Sequence, residues 1–536
     1  MSRIKSTQKN IIYALAGQFA YTLVSFIARM VFVQTLGAEY LGINGLFTGI
    51  LSVLSLAELG VGGAIIYSLY KPLAEGDGEK IKSLMALLRK AYVVIGCAVL
   101  VLGLSLTPFL GFFIAEVPDI PHVWLIYMMF VANSGMSYFF AYKRSLIIAD
   151  QKHFITTMYH YTLFFCLNVA QIAVLMVSGN YLLFLVLMLV ATATENILIS
   201  RKADRLFPLL CEKDVEKLEK TEKAAIFKNV YALSLNRVGA VVVLGMNSLL
   251  LAKYAGIVVV GLYSNYQLVI TALNGILSQV VESITASIGH LGVTESDEKK
   301  LAVFNVFNFA MFWILGFASI CLFILFNPLI SLWLGDAYLF DTHMVGVIVV
   351  NFYLLGMKSN PWHYRSGLGL YWFARYKPVI QSAIYLSAAI WLGGIFGAMG
   401  VLIALTVAIL ATCFWVEPYV LYRRGFHGPV SRYFLRYAIY TSVCVVAGLI
   451  TYGAVSFITV GGIWGFIVMV LICVVMPNAV FFAAFRKTVE FRYLREMVMG
   501  MISHGLKRKE CHDDTEEDTL LLAERRENAR RNGQVH

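Results

Sequence analysis

Charge is what this chain lacks. Asp, Glu, Lys and Arg make up only 14% of its 536 residues, against 59% hydrophobic residues. A soluble domain cannot cover its surface with so little charge. Long polar stretches are scarce as well, and apolar runs of the ~20 residues needed to cross a bilayer recur from end to end. These runs are continuous rather than alternating, which excludes a β-barrel. The 8 cysteines are scattered singly, most inside apolar runs (Cys97, Cys166, Cys321, Cys413, Cys444, Cys473). No two have ligand spacing, so neither a zinc site nor a disulfide framework is expected. A phosphate loop, Gly-x-Ser-x-Gly and His-Glu-x-x-His are all missing, and no outside loop could house a catalytic domain. No enzyme activity, ATP hydrolysis included, and no cofactor is therefore expected.

What is present is an all-α polytopic membrane protein. Fourteen spans can be placed, at about 10–35, 41–69, 91–115, 122–142, 154–177, 180–199, 227–251, 256–287, 302–326, 343–364, 378–396, 398–421, 434–457 and 461–485. The first lacks a small-residue cleavage site and reads as a retained helix. With both termini on one side, that side receives 39 of the 43 basic residues, and only Arg29, Arg237, Lys253 and Lys358 fall elsewhere. The positive-inside rule then sets both termini in the cytoplasm. The net charge of +11 reflects basic loops facing an anionic inner leaflet rather than nucleic acid. The loop "RKADRLFPLLCEKDVEKLEKTEKAAIFK" reads as a solvated helix outside the membrane, and the charged tail after Phe485 as a partly helical cytoplasmic extension.

The sequence also matches itself at an offset near 220. Lys9–Asn10 returns as Lys228–Asn229, Gly37 and Gly42 as Gly256 and Gly261, and Gly135, Met136, Arg144 and Ser145 as Gly356, Met357, Arg365 and Ser366. The steady register, not any one dipeptide, carries the signal. Six spans separate the copies, so both have one orientation, as in transporters whose path lies between parallel repeats. The expected plan is an N-lobe at 1–199, a linker at 200–228, a C-lobe at 229–421, two further helices within 422–485, and a tail at 486–536. A central cavity separates the lobes.

Polar residues inside the spans mark the candidate site. Gln18, Thr22, Ser25 and Arg29 share one helix face. Arg29 stands ~27 Å above the start of its helix, so it faces either a cavity or the outer headgroups; the polar stripe below it favours the cavity. Arg237 follows Asn236 near mid-membrane, where an arginine costs about 2.5–3.5 kcal/mol without a partner or water. Lys358 stands in "GMKSNPWHYRSG", where Pro361 is expected to break the span and line a cavity; His363 lies nearer its inner end. Glu58 is the chief buried acid, either a counterion for one of these cations or a site for a coupling ion. Asn44, Asn265 and Tyr266 suit sugar hydroxyls or interhelical hydrogen bonds.

The stretch "VFVQTLGAEYLGINGLFTGILSVLSLAELGVGGAIIYSLYKPLAEGD", continued by "SYFFAYKRSLIIADQKHF", resembles Wzx-type polysaccharide flippases. These belong to the multidrug/oligosaccharidyl-lipid/polysaccharide (MOP) exporter superfamily. The resemblance implies two six-helix lobes around a cationic cavity, and outward movement of undecaprenyl-diphosphate-linked sugars across a bacterial cytoplasmic membrane by alternating access. It also implies coupling to membrane potential, protons or sodium, and neighbouring glycan polymerases or glycosyltransferases as partners. Lipid II flippases carry a first-span arginine eight or nine residues before a glycine, a placement that Arg29 and Gly37 match. They too have two extra C-terminal spans, which border a lipid groove. Cation-coupled multidrug efflux and a membrane glycan polymerase or ligase are the alternative functions.

Overall fold

The computed structural model describes residues 2–58, 61–113, 120–212, 218–294, 296–368, 370, 372–458, 460–497 and 499. For residues 2–16, 279–294 and scattered positions elsewhere, most of them on the seventh helix, only the backbone is described. Every regular element among the described residues is helical, as hydrocarbon demands: a helix satisfies its backbone polar groups within itself. The rods are α1 (2–36), α2 (38–58 and Val61–Glu75), α3 (Gly78–Ser105), α4 (Val123–Ala149), α5 (His153–Ser178), α6 (Tyr181–Leu206), α7 (Lys220–Ala255), α8 (Ile257–Thr294), α9 (Asp297–Leu334), α10 (Thr342–Gly367), α11 (Lys377–Phe396), α12 (398–425), α13 (Ser431–Ser456) and α14 (Gly462–Phe485).

Eleven helical stretches among the described residues are long and apolar enough to span a membrane. One of them, Gly17–Glu58, holds parts of both α1 and α2, bent at Gly37. In α7 the apolar part is the shorter Val241–Ala255. Polar residues such as Asn351, Asn360 and Arg365 keep α10 outside the eleven.

The turns that join α1 to α2 and α7 to α8 are alike. Gly37 has φ 85° and ψ −176°, and Gly256 has φ 85° and ψ 166°. Only glycine adopts this region at little cost. Just beyond the turns, the two halves interlock through small residues. A Cβ on Gly42 would lie 2.1 Å from the Ile257 carbonyl oxygen, and one on Gly261 would lie 2.4 Å from that of Ala38. Each glycine admits the other half's backbone. Gly135 of α4 receives Leu100 of α3, and Gly356 of α10 receives Leu315 of α9, both with 2.5 Å to the leucine Cδ2 from the glycine's would-be Cβ.

The last two helices dock on α9 through aromatic rings. Phe312 stacks on Tyr440 at 4.5 Å, and the Trp313 indole donates to Asn478 at 2.7 Å. Two expectations are corrected. The long charged loop holds no separate helix among its described residues: α6 continues to Leu206, a 3-10 turn follows at Pro208–Cys211, and α7 begins at Lys220. Nor does Pro361 break its span, because α10 runs through it to Gly367. In contrast, α2 tightens into a 3-10 turn at Ser55–Glu58, with no proline to announce it.

Candidate functional site

A cavity of about 560 Å³ opens between α1, α2, α5 and α6 on one side and Ser248, Ser264 and Leu268 of α7 and α8 on the other. Helix α1 exposes the apolar Phe19, Leu23 and Ile27 and also lends the cavity a ring, Tyr21, stacked on Phe164 at 4.2 Å. Its polar stripe is thereby turned inward. Ser25 and Arg29 line the space, joined by Asn44, Thr48 and Ser52 of α2. Asn168 and Gln171 of α5 complete the polar wall, their amides donating to the Phe164 and Phe184 carbonyls at 2.8 and 3.1 Å.

Arg29 is the only charged residue among the described residues that line this cavity. Its Nη1 donates to Ser264 Oγ at 2.7 Å and reaches Asn265 Oδ1 at 3.5 Å. Both partners are neutral and belong to α8, so the guanidinium bridges the halves while keeping its full charge. A guanidinium has five donors, which leaves several to turn toward a guest.

The other expected residues are dispersed. Gln18 packs its amide over Gly275 of α8. Asn265 is fully buried, and its Nδ2 has no hydrogen-bond partner. Tyr266 is no cavity residue: it donates to Asn327 at 2.7 Å, accepts from the Phe340 amide at 2.8 Å, and stacks on Phe340 in the core. Lys358 is not brought to Arg29. It lies within the second half beside a void of about 10 Å³ with Cys413 and Tyr433. His363 sits edge-on to Trp362 at 4.5 Å. The side chains of Asn236 and Arg237 lie outside the described residues.

Glu58 lines a second cavity of about 390 Å³ with Tyr92, Arg144, His160, Glu195 and Asn196. The Tyr92 hydroxyl donates to Glu58 at 3.3 Å, and Arg144 pairs with Glu195. In the second half Arg365 pairs with Glu417 at 2.7 Å, and Lys377 pairs with the same carboxylate. Sequence reasoning missed Asn168, Gln171 and Ser264 in the first cavity. The spacing of three between Asn168 and Gln171 in an apolar helix was the available signal for two of them. Among the described residues no cluster of three His, Cys, Asp or Glu could hold a metal.

No known protein-family profile matches the chain. No curated protein matches it in sequence. Solved structures do match. A lipid II flippase, MurJ, in an inward-closed conformation aligns with a TM-score of 0.67 at 12% identity, over 89% of this chain and 100% of that one. The chain has the fold of the MOP superfamily. An inward-facing multidrug-resistance MATE transporter of that superfamily aligns with a TM-score of 0.53 at 13% identity, over 77% of this chain and 99% of that one. A point mutant of the Vibrio cholerae MATE transporter VcmN gives 0.52 at 15% identity, over 80% and 99%. At such identities the MOP likeness speaks for fold alone, and for this chain the chemistry rests on its own residues.

Proposed function

We propose that this protein is a flippase that moves an undecaprenyl-diphosphate-linked oligosaccharide from the inner to the outer leaflet of a bacterial cytoplasmic membrane, by alternating access between lobes at 1–199 and 229–421. One observation carries this reading: the cavity between the halves holds a guanidinium, Arg29, bound only to neutral partners. A cation with no carboxylate beside it leaves the space net positive. An anionic headgroup is attracted there and an organic cation repelled. Guanidinium forks suit phosphate oxygens, while Ser25, Asn44, Thr48, Asn168 and Gln171 offer donors and acceptors to sugar hydroxyls.

The energetics agree with export. A diphosphate diester carries about two negative charges, each worth about 2.3 kcal/mol per 100 mV, so with the cell interior negative the outward step is downhill. The barrier is desolvation of the phosphates, which a cation inside the membrane lowers. The resemblance to Wzx-type flippases and the fold shared with a lipid II flippase support the same substrate class. Efflux of cations is the second reading, favoured by Glu58 and Glu195 in the smaller cavity. Deleting the gene separates the two. Glycan-lipid stalled on the cytoplasmic leaflet is expected, whereas normal surface glycan with new drug sensitivity would overturn the flippase reading.

A further inference from the structure

A second kind of site lies on the exposed surface of the second half, away from the central cavity. The last turn of α12, Leu421–Gly425, is π-helical, a widening that often marks functional positions. It carries two neighbouring exposed cations, Arg423 and Arg424, at the C-terminal end of the helix. One to three turns deeper, Tyr419 and Trp415 face Phe434 of α13, and the Trp415 and Phe434 rings lie 4.7 Å apart. Phe373 closes the rim, with the Arg424 guanidinium 4.9 Å from its ring centre. The groove encloses about 930 Å³. From Arg424 down to Trp415 is ~14 Å along the helix, so polarity falls from fixed charge to bare ring within the depth of a headgroup and its first methylenes.

Neither arginine has a carboxylate partner among the described residues, and the acids around it are already engaged. Glu417 is held by Arg365 and Lys377, Asp297 by Lys300 and His427, and Glu490 by Arg436. The contrast is the basic groove of about 520 Å³ near Lys82 and Lys143. There Lys82 holds Glu79 and Glu212, and Lys143 holds Asp204. That groove supplies anions for Lys82 and Lys143, whereas the α12–α13 groove leaves Arg423 and Arg424 open to an outside anion.

We propose that the α12–α13 groove binds an anionic phospholipid of the leaflet at the C-terminal end of α12. Its phosphate sits between Arg423 and Arg424, and one acyl chain runs along Trp415, Tyr419 and Phe434. Basic pockets at this level of a membrane helix bundle suit anionic headgroups, and the aromatic rings give the chain a wall at the interface where such rings are enriched. A free phosphate ion would meet the arginines and leave the aromatic wall unused. The assignment stands independently of what the central cavity carries.

The test uses the purified full chain in nanodiscs of phosphatidylcholine, titrated with phosphatidylglycerol brominated on its acyl chains. Bromine quenches nearby tryptophan. A saturable component of quenching is expected that vanishes in Trp415→Phe, while the non-saturable quenching of the other exposed tryptophans, Trp124, Trp362, Trp391 and Trp464, remains. Arg423→Gln with Arg424→Gln should weaken the phosphatidylglycerol titration at least tenfold. Arg423→Lys with Arg424→Lys should retain part of it, and Lys71→Gln, an exposed cation elsewhere, should change nothing. Any one of three results overturns the proposal: an equal Trp415-dependent component with brominated phosphatidylcholine, displacement by millimolar inorganic phosphate, or preferential displacement by undecaprenyl diphosphate, which would make the groove a docking site for a carrier lipid. Should the double glutamine variant fail to fold, the Trp415→Phe comparison still decides.

Discussion

The same ion pair occurs twice in this molecule and has two different lives. Arg144 on α4 meets Glu195 on α6; Arg365 on α10 meets Glu417 on α12. The offset is 221 for the arginines and 222 for the glutamates, the register of the repeat. In the second half the pair is dry: Arg365 is 3% exposed, Glu417 0% and Lys377, the second cation on that carboxylate, 9%. The Arg365 Nε to Glu417 Oε2 contact is close but not aligned as a hydrogen bond, and the arginine also donates from Nη1 to the Leu370 carbonyl at 2.9 Å. In the first half the pair is wet: Arg144 is 35% exposed, and a histidine, His160, stands 3.3 Å from Glu195 beside a cavity that also holds Glu58. One copy is a post that braces its lobe. The other opens onto a cavity.

The comparison breaks most readily at the glutamates. Glu417→Ala strands two buried cations and should destabilise the protein by about 3–5 kcal/mol. Glu195→Ala, with its partner partly in water, should cost about 1 kcal/mol or less. Thermal unfolding of the two variants in one detergent measures the difference, and equal losses would erase the distinction between post and open site.

A sharper question is whether the halves close on each other symmetrically. Gly42→Ala and Gly261→Ala each push a Cβ into the opposite half's backbone, a strain of about 1–3 kcal/mol. Both should loosen the contact between the halves and raise, severalfold, the thiol labelling of a cysteine placed at Thr48. Unchanged labelling in both would mean that this contact does not gate the cavity.

The smallest effect is expected at the N-terminal end of α9. His427 and then Lys300 hold the Asp297 carboxyl below its ordinary value. A lowered folded value means that the contribution is present above the ordinary value of ~3.9 and is lost as pH falls through the lower folded one. Asp297→Asn should therefore lower the midpoint of thermal unfolding slightly at neutral pH, and the gap to the parent should shrink as the solution is acidified below ~4. A gap independent of pH would assign the effect to packing.

Much of this was legible before any coordinates. Apolar length pointed to helical rods throughout, because in hydrocarbon the backbone has few other solutions, but eleven helical stretches among the described residues are apolar enough to span, and the run expected at 91–115 is the helix Gly78–Ser105. Glycines in constant register located the two sharp turns, because their φ of 85° excludes other residues at low cost. Four-residue polar spacing turned Arg29 toward the cavity, because a helix has only one face per stripe. What was illegible depended on partners distant in sequence. Nothing local says that Tyr266 would spend its hydroxyl on Asn327 and the Phe340 amide, or that Lys358 would stay among Cys413 and Tyr433 in the second half. The repeat of Arg144 and Arg365 was visible, but their glutamates were not read with them; Glu417 follows an apolar run and looks like an ordinary boundary acid. The 3-10 turn at Ser55–Glu58 contains neither proline nor glycine and was not anticipated.

The central claim is that Arg29 serves the anion and is not merely a brace between α1 and α8. The most direct measurement is transbilayer movement of an undecaprenyl-diphosphate oligosaccharide in proteoliposomes, comparing the parent with Arg29→Ala and Arg29→Lys at equal amounts of folded protein. Arg29→Ala should slow movement at least tenfold, equivalent to about 1.4 kcal/mol. Arg29→Lys should fall between, because it keeps the charge and loses the fork. If folded Arg29→Ala moves the lipid at the parental rate, the arginine only joins the halves through Ser264 and Asn265, and the cationic-cavity account is wrong.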